Sequence, residues 1–407
     1  MKHKELIEQM TLEEKCGLLS GRDIWSTRSV ERLGVPAIYL SDGPTGMRKQ
    51  VGEGDHLGLN ASLPATCWPT AVTVACTWDP ALGEELGAAL GEEAVAQGVS
   101  VVLGPGLNIQ RSPLCGRNFE YFSEDPILAG KLAAGYIRGI QSRGIAACPK
   151  HFAANSQETL RMVSDSVVDE RTFREVYLTN YEIAVKEGKP KFIMSSYNKI
   201  NGTYANEDKT LLSDILRDEW GFEGAVVTDW GGSNDHVEGV RAGSHLEMPG
   251  TAGDSDRQLA AAVKAGVISE EVVDQRVDEL LDVILAVAPK EKADGSFDKE
   301  GHHALAAKVA EEAVVLLKNE ENILPLAAGA KVAVIGDFAA IPRYQGAGSS
   351  LVNPTKLECT LDVLDKMPLE SVGYAQGFTR ADAVDKALTE QAVALAKQAD
   401  TVLPYMG

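Results

Sequence analysis

Short apolar runs alternate with longer amphipathic stretches through the first two thirds of the chain. Five apolar runs bounded by Gly, Pro, Ser or Asp predict buried strands: Ala37–Leu40, Val101–Leu103, Ile145–Ala147, Phe192–Ser195 and Ala225–Thr228. Apolar residues at helical spacing predict four helical faces: Leu82–Ala94, Leu128–Ile140, Phe173–Ala184 and Val273–Ile284. Strand–helix alternation favours a parallel sheet, and the region has the usual size of a closed eight-unit barrel. Periodicity by itself does not show closure.

The last third of the chain predicts a separate α/β domain. The charged segment Pro289–Gly301 lacks apolar periodicity and is interpreted as a linker. Further patterns predict a helix at Ala304–Lys318, a buried strand at Val332–Asp337, and elements at Leu361–Leu364, Ala381–Lys397 and Thr401–Tyr405. Because the sequence stops at the end of a predicted strand, we expect a truncated or split chain.

Composition narrows the possible partners. The 59 acidic and 39 basic side chains give a formal net charge of −20, which disfavours nucleic acid and anionic membranes. No apolar run follows the basic N-terminus, and no window resembles a membrane span. The six cysteines are scattered without a CxxC motif, which predicts reduced thiols in a cytoplasmic protein.

No cofactor or metal site is predicted. Gly104-Pro105-Gly106 lacks the third glycine of a dinucleotide fingerprint, and no metal-ligand spacing is convincing. The pair His302-His303 is interpreted as a solvated helix start.

Polar residues follow the predicted strands, where α/β folds place their functional side chains. They are Asp42, Arg117, Lys150, His151, Tyr197, Asn198, Asp229 and Trp230. Singly, each has a structural alternative: Asp42-Gly43 is also an ordinary turn, and Asp229 can cap a helix. If the strands are parallel, all of these residues would lie at the same end of the sheet, here called the rim. Carboxylates, cations and an indole suit a sugar, and glycoside cleavage needs an ionised nucleophile and a proton donor. Neighbouring cations would favour the ionised form of Asp229.

Eight segments closely resemble family 3 glycoside hydrolases of the β-glucosidase branch. They are Ser41–Pro44, Gly104–Arg111, Gly116–Glu120, Lys150–Asn155, Ser196–Asn198, Thr228–Trp230, Leu246–Gly250 and Gln345–Ser350. The resemblance implies a TIM-like (β/α)8 barrel at 1–288, a linker at 289–301 and the first part of an α/β sandwich at 302–407. It also implies a retaining, exo-acting β-glucosidase that removes terminal non-reducing β-D-glucosyl residues.

By motif match, the resemblance implies that Asp229 is the nucleophile and forms a covalent glycosyl intermediate. It implies that glucose or a β-glucoside binds to Asp42, Arg117, Lys150, His151 and Arg161. Tyr197 would hydrogen-bond near the nucleophile, and Met194 and Trp230 would wall the subsite. A cis peptide near Lys150 and His151 would let both side chains reach one ring edge.

Two departures from the family pattern stand out. His245 replaces the usual Asp before Leu246-Glu247-Met248, either changing contacts behind the site or only packing. No residue matches the family's acid/base Glu, so we expect a missing segment or a complementary chain to supply it; a homo-oligomer is a further possible partner. Two alternatives to a β-glucosidase stay open: a β-xylosidase or broad exo-glycosidase, and a non-catalytic sugar-binding pseudo-enzyme.

Overall fold

The computed structural model describes residues 1–52, 54, 60–289, 293–381 and 383–406. The chain folds into two compact units. The first contains Met1–Val314 and a later segment, Gln345–Thr355, and the second contains Val315–Tyr344 and Lys356–Gly407.

The first unit is a TIM-like barrel. Backbone hydrogen bonds connect eight segments in a ring, each to the next and the last to the first: 18–21, 25–27, 38–42, 101–103, 146–150, 192–195, 225–228 and 244–248. The parallel bridge between Ser20 and Glu247 closes the ring. The segment at 25–27 runs antiparallel to both neighbours, which the sequence pattern does not predict. The remaining neighbours are parallel, so their carboxyl ends share one rim.

Alternate residues of the barrel strands face opposite sides, as strand geometry requires. Val101 and Leu103 belong to one buried cluster, and Val102 between them belongs to another. The second cluster contains the apolar faces of the helices Pro80–Ala96 and Pro126–Gln141. Asp79 and Asp125 cap these helices, each followed by proline at the first helical position. The predicted strand–helix layers therefore enclose two apolar clusters, one on each face of the strands.

The predicted strands and helices are present with small shifts in their ends. The first predicted strand lies at Leu40–Asp42, and the next two lie at Val101–Leu103 and Ala146–Ala147, followed by Phe192–Ser195 and Ala225–Thr228. The other helices of this unit are Lys4–Ile7, Leu12–Leu18, Ala71–Ala75, His236–Ala242, Asp254–Lys264, Glu270–Val287 and Lys299–Glu312. The helix at 170–188 mixes α-turns (Glu170–Thr172, Thr179–Ile183) with π-turns (Phe173–Leu178, Ala184–Gly188), and Thr210–Glu219 is also a π-helix. Short strands lie at Pro64–Ala65, Asp165–Ser166, Lys199–Ile200, Thr203–Tyr204 and Asn353–Pro354, and short 3-10 turns at Glu31–Leu33, Asn118–Glu120, Ala205–Glu207 and Gly348–Ser350.

The second unit is a small α/β fold. Its parallel sheet has Lys331–Ile335 between Glu370–Ala375 and Thr401–Pro404. The helix Lys386–Ala396 packs against this sheet. Short helical turns lie at Glu320–Asn322, Asp337–Ala339, Thr360–Val363 and Leu364–Lys366. The core is small and is centred on Val332, Val334, Ala339 and Leu364.

Two sequence predictions near the linker are wrong. The helix predicted at Ala304–Lys318 ends at Glu312, and the following run Val314–Leu317 is exposed. In a helix, four consecutive apolar residues would point in all directions, so they could not all be buried against one surface. Packing therefore does not favour continuing the helix through this run. His302 is not solvated: it is buried, and its Nδ1 lies 2.8 Å from Oε1 of the buried Glu93.

Across the described ranges, every helix is too short or too polar to cross a lipid bilayer.

Candidate active site

Asp229 lies on the rim, directly after the strand Ala225–Thr228. Its Oδ1 accepts the Trp230 backbone N–H at 2.8 Å, which fixes the carboxylate plane. Its Oδ2 is buried and has no donor among the described protein atoms. His151 Nε2 lies 3.6 Å from this oxygen. Tyr197 lies beside the carboxylate but donates its one hydroxyl proton to the Trp230 carbonyl at 2.8 Å. One carboxylate oxygen is therefore oriented and left free.

His151 is held as a neutral acceptor that faces this oxygen. The Lys150–His151 peptide bond is cis, and both residues are buried. Burial, reinforced by Arg117 and Lys150, lowers the pKa of His151 well below its usual value. The hydrogen-bond network assigns the tautomer: Arg117 donates to Nε2 at 2.9 Å, and Nδ1 contacts Asn108 Oδ1 at 3.3 Å and the Tyr121 hydroxyl at 3.2 Å. Nδ1 therefore carries the proton.

Asp42 lies between two cations on the same rim. Lys150 Nζ is 3.4 Å from Oδ1, and an Arg48 guanidinium nitrogen is 3.6 Å from Oδ2. Burial raises the pKa of Asp42, and the two cations oppose that rise. Arg48 is not among the predicted site residues. The turn residues from Gly43 to Gly46 indicate that the chain folds back here, and the Arg48 N–H indeed donates to the Asp42 carbonyl at 3.0 Å.

Two further carboxylates, neither of which was predicted as a site residue, hold the arginines in place; the sequence offers Glu120 only as a structural partner of Arg117. Glu120 is buried and pairs with Arg117, and it is close enough to Lys150 for charge attraction. Burial alone would raise the pKa of Glu120, but these two cations hold it below its usual value. Glu158 lies 3.2 Å from Arg161 and 3.8 Å from Arg117, and burial raises its pKa.

Aromatic side chains line the rim beside Asp229. The Arg161 guanidinium lies 4.8 Å from the centre of the Tyr197 ring, a cation–π arrangement. The Trp230 ring lies 5.1 Å from the Trp25 ring at 39°. Met194 is fully buried in the apolar cluster formed by the barrel strands. Asn198, another residue that follows a predicted strand, donates to the backbone carbonyls of Ala153 and Lys199 instead of facing the site.

The structure brings seven of the eight predicted residues around Asp229 into one connected region. The exception is Met194, whose side chain is buried in the apolar cluster of the barrel strands and has no described contact with the other seven. Carboxylates and a neutral imidazole supply acceptors, the cations supply donors, and an indole offers an apolar face. This combination suits a polyhydroxylated ring. In the part of the chain that the structure describes, no group of three His, Cys, Asp or Glu side chains is arranged to hold a metal ion.

His245 does not contact the rim. It accepts the Val226 N–H on Nδ1 at 3.0 Å, so its proton is on Nε2, which lies 2.7 Å from Glu279. Val226 lies toward the end of its strand that is farther from Asp229. Burial lowers the pKa of His245 to about 4. His245 is thus a packed, hydrogen-bonded residue below the rim.

We expect His245 to contribute to acid sensitivity. Its pKa is 6.5 when unfolded and about 4 when folded, so the unfolded chain binds the proton first as pH falls. Stability is therefore present above pH 6.5 and is lost between roughly 6.5 and 4, by about 3 kcal/mol near pH 4.5. His245→Asn keeps an acceptor for Val226 and does not titrate. Urea unfolding at pH 7 and pH 4.5 should show a smaller loss for this variant than for the native chain; equal losses would contradict the assignment.

Comparison with known proteins identifies the family. Residues 9–283 match the profile described as Glycosyl hydrolase family 3 N terminal domain, and residues 314–407 match the Glycosyl hydrolase family 3 C-terminal domain. The thermostable beta-glucosidase B of Acetivibrio thermocellus is 48% identical over 99% of this chain and 54% of its own length. An exo-alpha-(1->6)-L-arabinopyranosidase of Bifidobacterium longum is 43% identical over 98% of this chain and 54% of its own length.

Solved structures agree. The GH3 beta-glucosidase of Bifidobacterium adolescentis superposes with a TM-score of 0.92 at 43% identity, covering 98% of this chain and 57% of its own. The beta-glucosidase 3B of Thermotoga neapolitana, solved in complex with glucose, superposes with a TM-score of 0.86 at 38% identity over the same shares. This chain spans about half the length of the curated relatives it matches. The profiles, the relatives and the barrel agree, and the chain belongs to glycoside hydrolase family 3.

Proposed function

We propose that this chain carries the nucleophile and glycone subsite of a retaining, exo-acting β-glucosidase. The observation that carries the proposal is the buried Oδ2 of Asp229, which is oriented, undonated and 3.6 Å from neutral His151. A free carboxylate oxygen can attack the anomeric carbon and form a glycosyl ester, which water then hydrolyses.

The surrounding groups fit one glucosyl ring. Asp42 can accept from two vicinal hydroxyls, with Lys150 and Arg48 as adjacent donors. On the other side, Arg117 and His151 can contact the hydroxyl beside the reacting carbon, where hydrogen bonds strengthen in the transition state. Trp230 offers its indole face to the sugar. These buried charged groups would contact hydroxyls on several edges of the same sugar ring. Such contacts surround a single ring, which favours an enzyme that acts on the terminal residue of a glycoside.

A pentopyranoside is the second candidate substrate. It is favoured by the similarity to a relative named for L-arabinopyranosidase activity. Initial rates on nitrophenyl β-D-glucoside, β-D-xyloside and α-L-arabinopyranoside should rank the glucoside first by kcat/KM. A higher value for either pentoside would replace the glucose assignment. A 2-fluoro glucoside should leave a covalent adduct on Asp229, detectable by mass spectrometry. Glucose binding without an adduct would instead favour a non-catalytic sugar-binding protein.

We further propose that the acid/base group lies outside these 407 residues, in a downstream segment or a partner chain. The carboxylates that accompany Asp229 in the described site each contact cations: Asp42 with Lys150, Glu120 with Arg117, and Glu158 with Arg161. These cations hold the pKa of Glu120 below its usual value and oppose the rise in pKa that burial causes at Asp42 and Glu158. Because the pKa of Glu158 is still raised, its role as an acid is tested directly. The greater length of the relatives is consistent with the proposal.

Glu158→Gln tests the acid/base assignment. A proton donor matters most for poor leaving groups, so its removal slows cellobiose far more than dinitrophenyl glucoside, by roughly 10²-fold or more. Because Glu158 contacts two arginines, we expect this variant to slow both substrates by a similar, roughly tenfold factor. Steady-state kinetics on both substrates decide the matter. A selective loss on cellobiose would make Glu158 the acid.

We also propose a reducing, cytoplasmic location. All six cysteines are free thiols, including Cys67, Cys115 and Cys359, which are partly exposed. Partly exposed thiols persist where the compartment keeps them reduced. Thiol titration of protein prepared without reductant from its native cells should give six thiols; a disulfide would contradict this location.

A further inference from the structure

A segment distant in sequence crosses the barrel rim within the first unit. Residues Gln345–Thr355, here called the strap, form part of this unit. The strand Asn353–Pro354 pairs with Pro64–Ala65 in parallel, and Asn353 donates to the Ser62 carbonyl at 3.1 Å. The Gln345 side chain clasps Val352, accepting from its N–H at 2.8 Å and donating to its carbonyl at 3.1 Å. The strap is thus paired with the residues 62–65 at its C-terminal end and is closed by hydrogen bonds between its own residues Gln345 and Val352.

The middle of the strap packs closely against the loops that carry the site. A Cβ at Gly346 would overlap the ring of Phe119, which lies between Arg117 and Glu120 in sequence. A Cβ at Gly46 would lie 2.8 Å from a methyl group of the buried Val352. Both glycines therefore permit an approach that no other residue would allow, and the strap touches the two loops that present arginines to the rim.

Ser350 reaches the site's charged network. It is 2% exposed, and its hydroxyl donates to Glu120 Oε2 at 3.3 Å. Glu120 Oε1 binds Arg117 Nε, and Arg117 in turn donates to His151 Nε2 at 2.9 Å. Each oxygen of this buried carboxylate thus has its own donor. The groups that act on the carboxylate are Arg117, Lys150 and the Ser350 hydroxyl.

We propose that Ser350 is a positioning residue of the glycone subsite, which holds Glu120 and, through it, the Arg117 guanidinium in the orientation that contacts His151. The inference rests on the proposed function, because it treats Arg117 as part of the sugar subsite. Without the hydroxyl, Glu120 Oε2 is a buried acceptor with no donor, and the carboxylate turns toward other cations. Arg117 then loses its fixed direction, although Ser350 never touches the sugar.

The test is a double-mutant cycle in which the measured quantity is the dissociation constant of a sugar analogue. Calorimetry measures the Kd of 1-deoxynojirimycin, a glucose-configured iminosugar, for the full chain and for Ser350→Ala, Glu120→Gln and the double variant. We expect Ser350→Ala to weaken binding on the order of three- to tenfold. In the Glu120→Gln background the same change should cost less than about twofold, because residues that act in series are not additive. Asn353→Ala is the matched control: it removes an exposed strap hydrogen bond and should leave Kd unchanged.

Equal factors for Ser350→Ala in both backgrounds would overturn the proposal, since they would indicate an independent structural effect. An unchanged Kd in Ser350→Ala would overturn it as well. If Glu120→Gln does not fold, Gly346→Ala provides the second test: it pushes the strap from Phe119 and should weaken binding as Ser350→Ala does, and an unchanged Kd would count against the proposal. Failure of the proposed function would give a different result: the native chain would turn over no aryl glycoside. The binding constants of the double-mutant cycle would still be measurable in that case.

Discussion

Asp229→Ala is expected to lower kcat/KM on aryl β-glucosides by at least about 10⁴-fold, the scale seen when a covalent nucleophile is removed. The reason is geometric. Oδ2 is the free oxygen on the rim, and no other described carboxylate oxygen has been left without a cation or a donor beside His151. Steady-state kinetics with dinitrophenyl glucoside measure the loss, since this leaving group needs little protonation.

Two controls separate lost chemistry from lost structure. Asp229→Asn keeps an acceptor for the Trp230 N–H, so it should bind iminosugar while remaining inactive. Azide fits the space left in Asp229→Ala and should restore turnover, giving an α-glucosyl azide. A β-glucosyl azide would mean that the attacking group lies on the other face of the sugar. Residual activity within tenfold of the native enzyme would remove Asp229 from the nucleophile role.

Asp42→Asn is expected to lower kcat/KM by about 10³-fold, because a site built to bind substrate hydroxyls discriminates by factors of this order or larger. The carboxylate can accept from two hydroxyls at once, while an amide offers one oxygen. The change also leaves Lys150 and Arg48 without their shared counter-ion in a buried setting, which adds to the loss. Kinetics on nitrophenyl β-D-glucoside give the factor.

The matched control for Asp42 changes the substrate instead of the protein. The native chain should lose a similar factor on a glucoside that lacks the hydroxyls contacted by Asp42, such as the 4-deoxy sugar. Asp42→Asn should lose little more on that substrate. Full additivity of the two losses would show that Asp42 acts elsewhere than on these hydroxyls.

The barrel was predictable because its strands and helices carry strong periodic patterns. Val101–Leu103 and Ala225–Thr228 are compact apolar runs with clear borders, and each appears with the expected bounds. The reversed segment at 25–27 was not predictable, because it is held by single bridges to its neighbours and has no run of its own. The apolar run Val314–Leu317 led to a wrong prediction. Its hydrophobicity indicates burial, but within the described residues its side chains are exposed.

The site was predictable where a residue follows a strand. Asp229 and Lys150 were found in this way, and family resemblance supplied their proposed roles. Arg48, Glu120 and Glu158 were missed because their significance lies in which side chains they contact. The sequence does offer Glu120 or Glu124 as the partner of Arg117, but Glu120 is distant from His151 in sequence, so the pattern does not indicate that the paired arginine contacts that ring. The tautomer of His151 likewise depends on the fold, since only the network around both ring nitrogens defines it.

The pairing of charges around the rim has a consequence for selectivity and for salt. Four carboxylates (Asp42, Glu120, Glu158 and Asp229) face four cations (Arg48, Arg117, Lys150 and Arg161), and His151 adds no charge. The pocket is therefore formally neutral within a chain whose net charge is −20. A charged sugar, such as a glucuronide or a glucose phosphate, would find no net opposite charge in this pocket. Its charged group would lose hydration on binding, and this desolvation cost would not be offset. If the chain binds sugars as we propose, we expect it to prefer neutral glycosides even where charged ones would fit sterically, and we expect their binding to vary little with ionic strength.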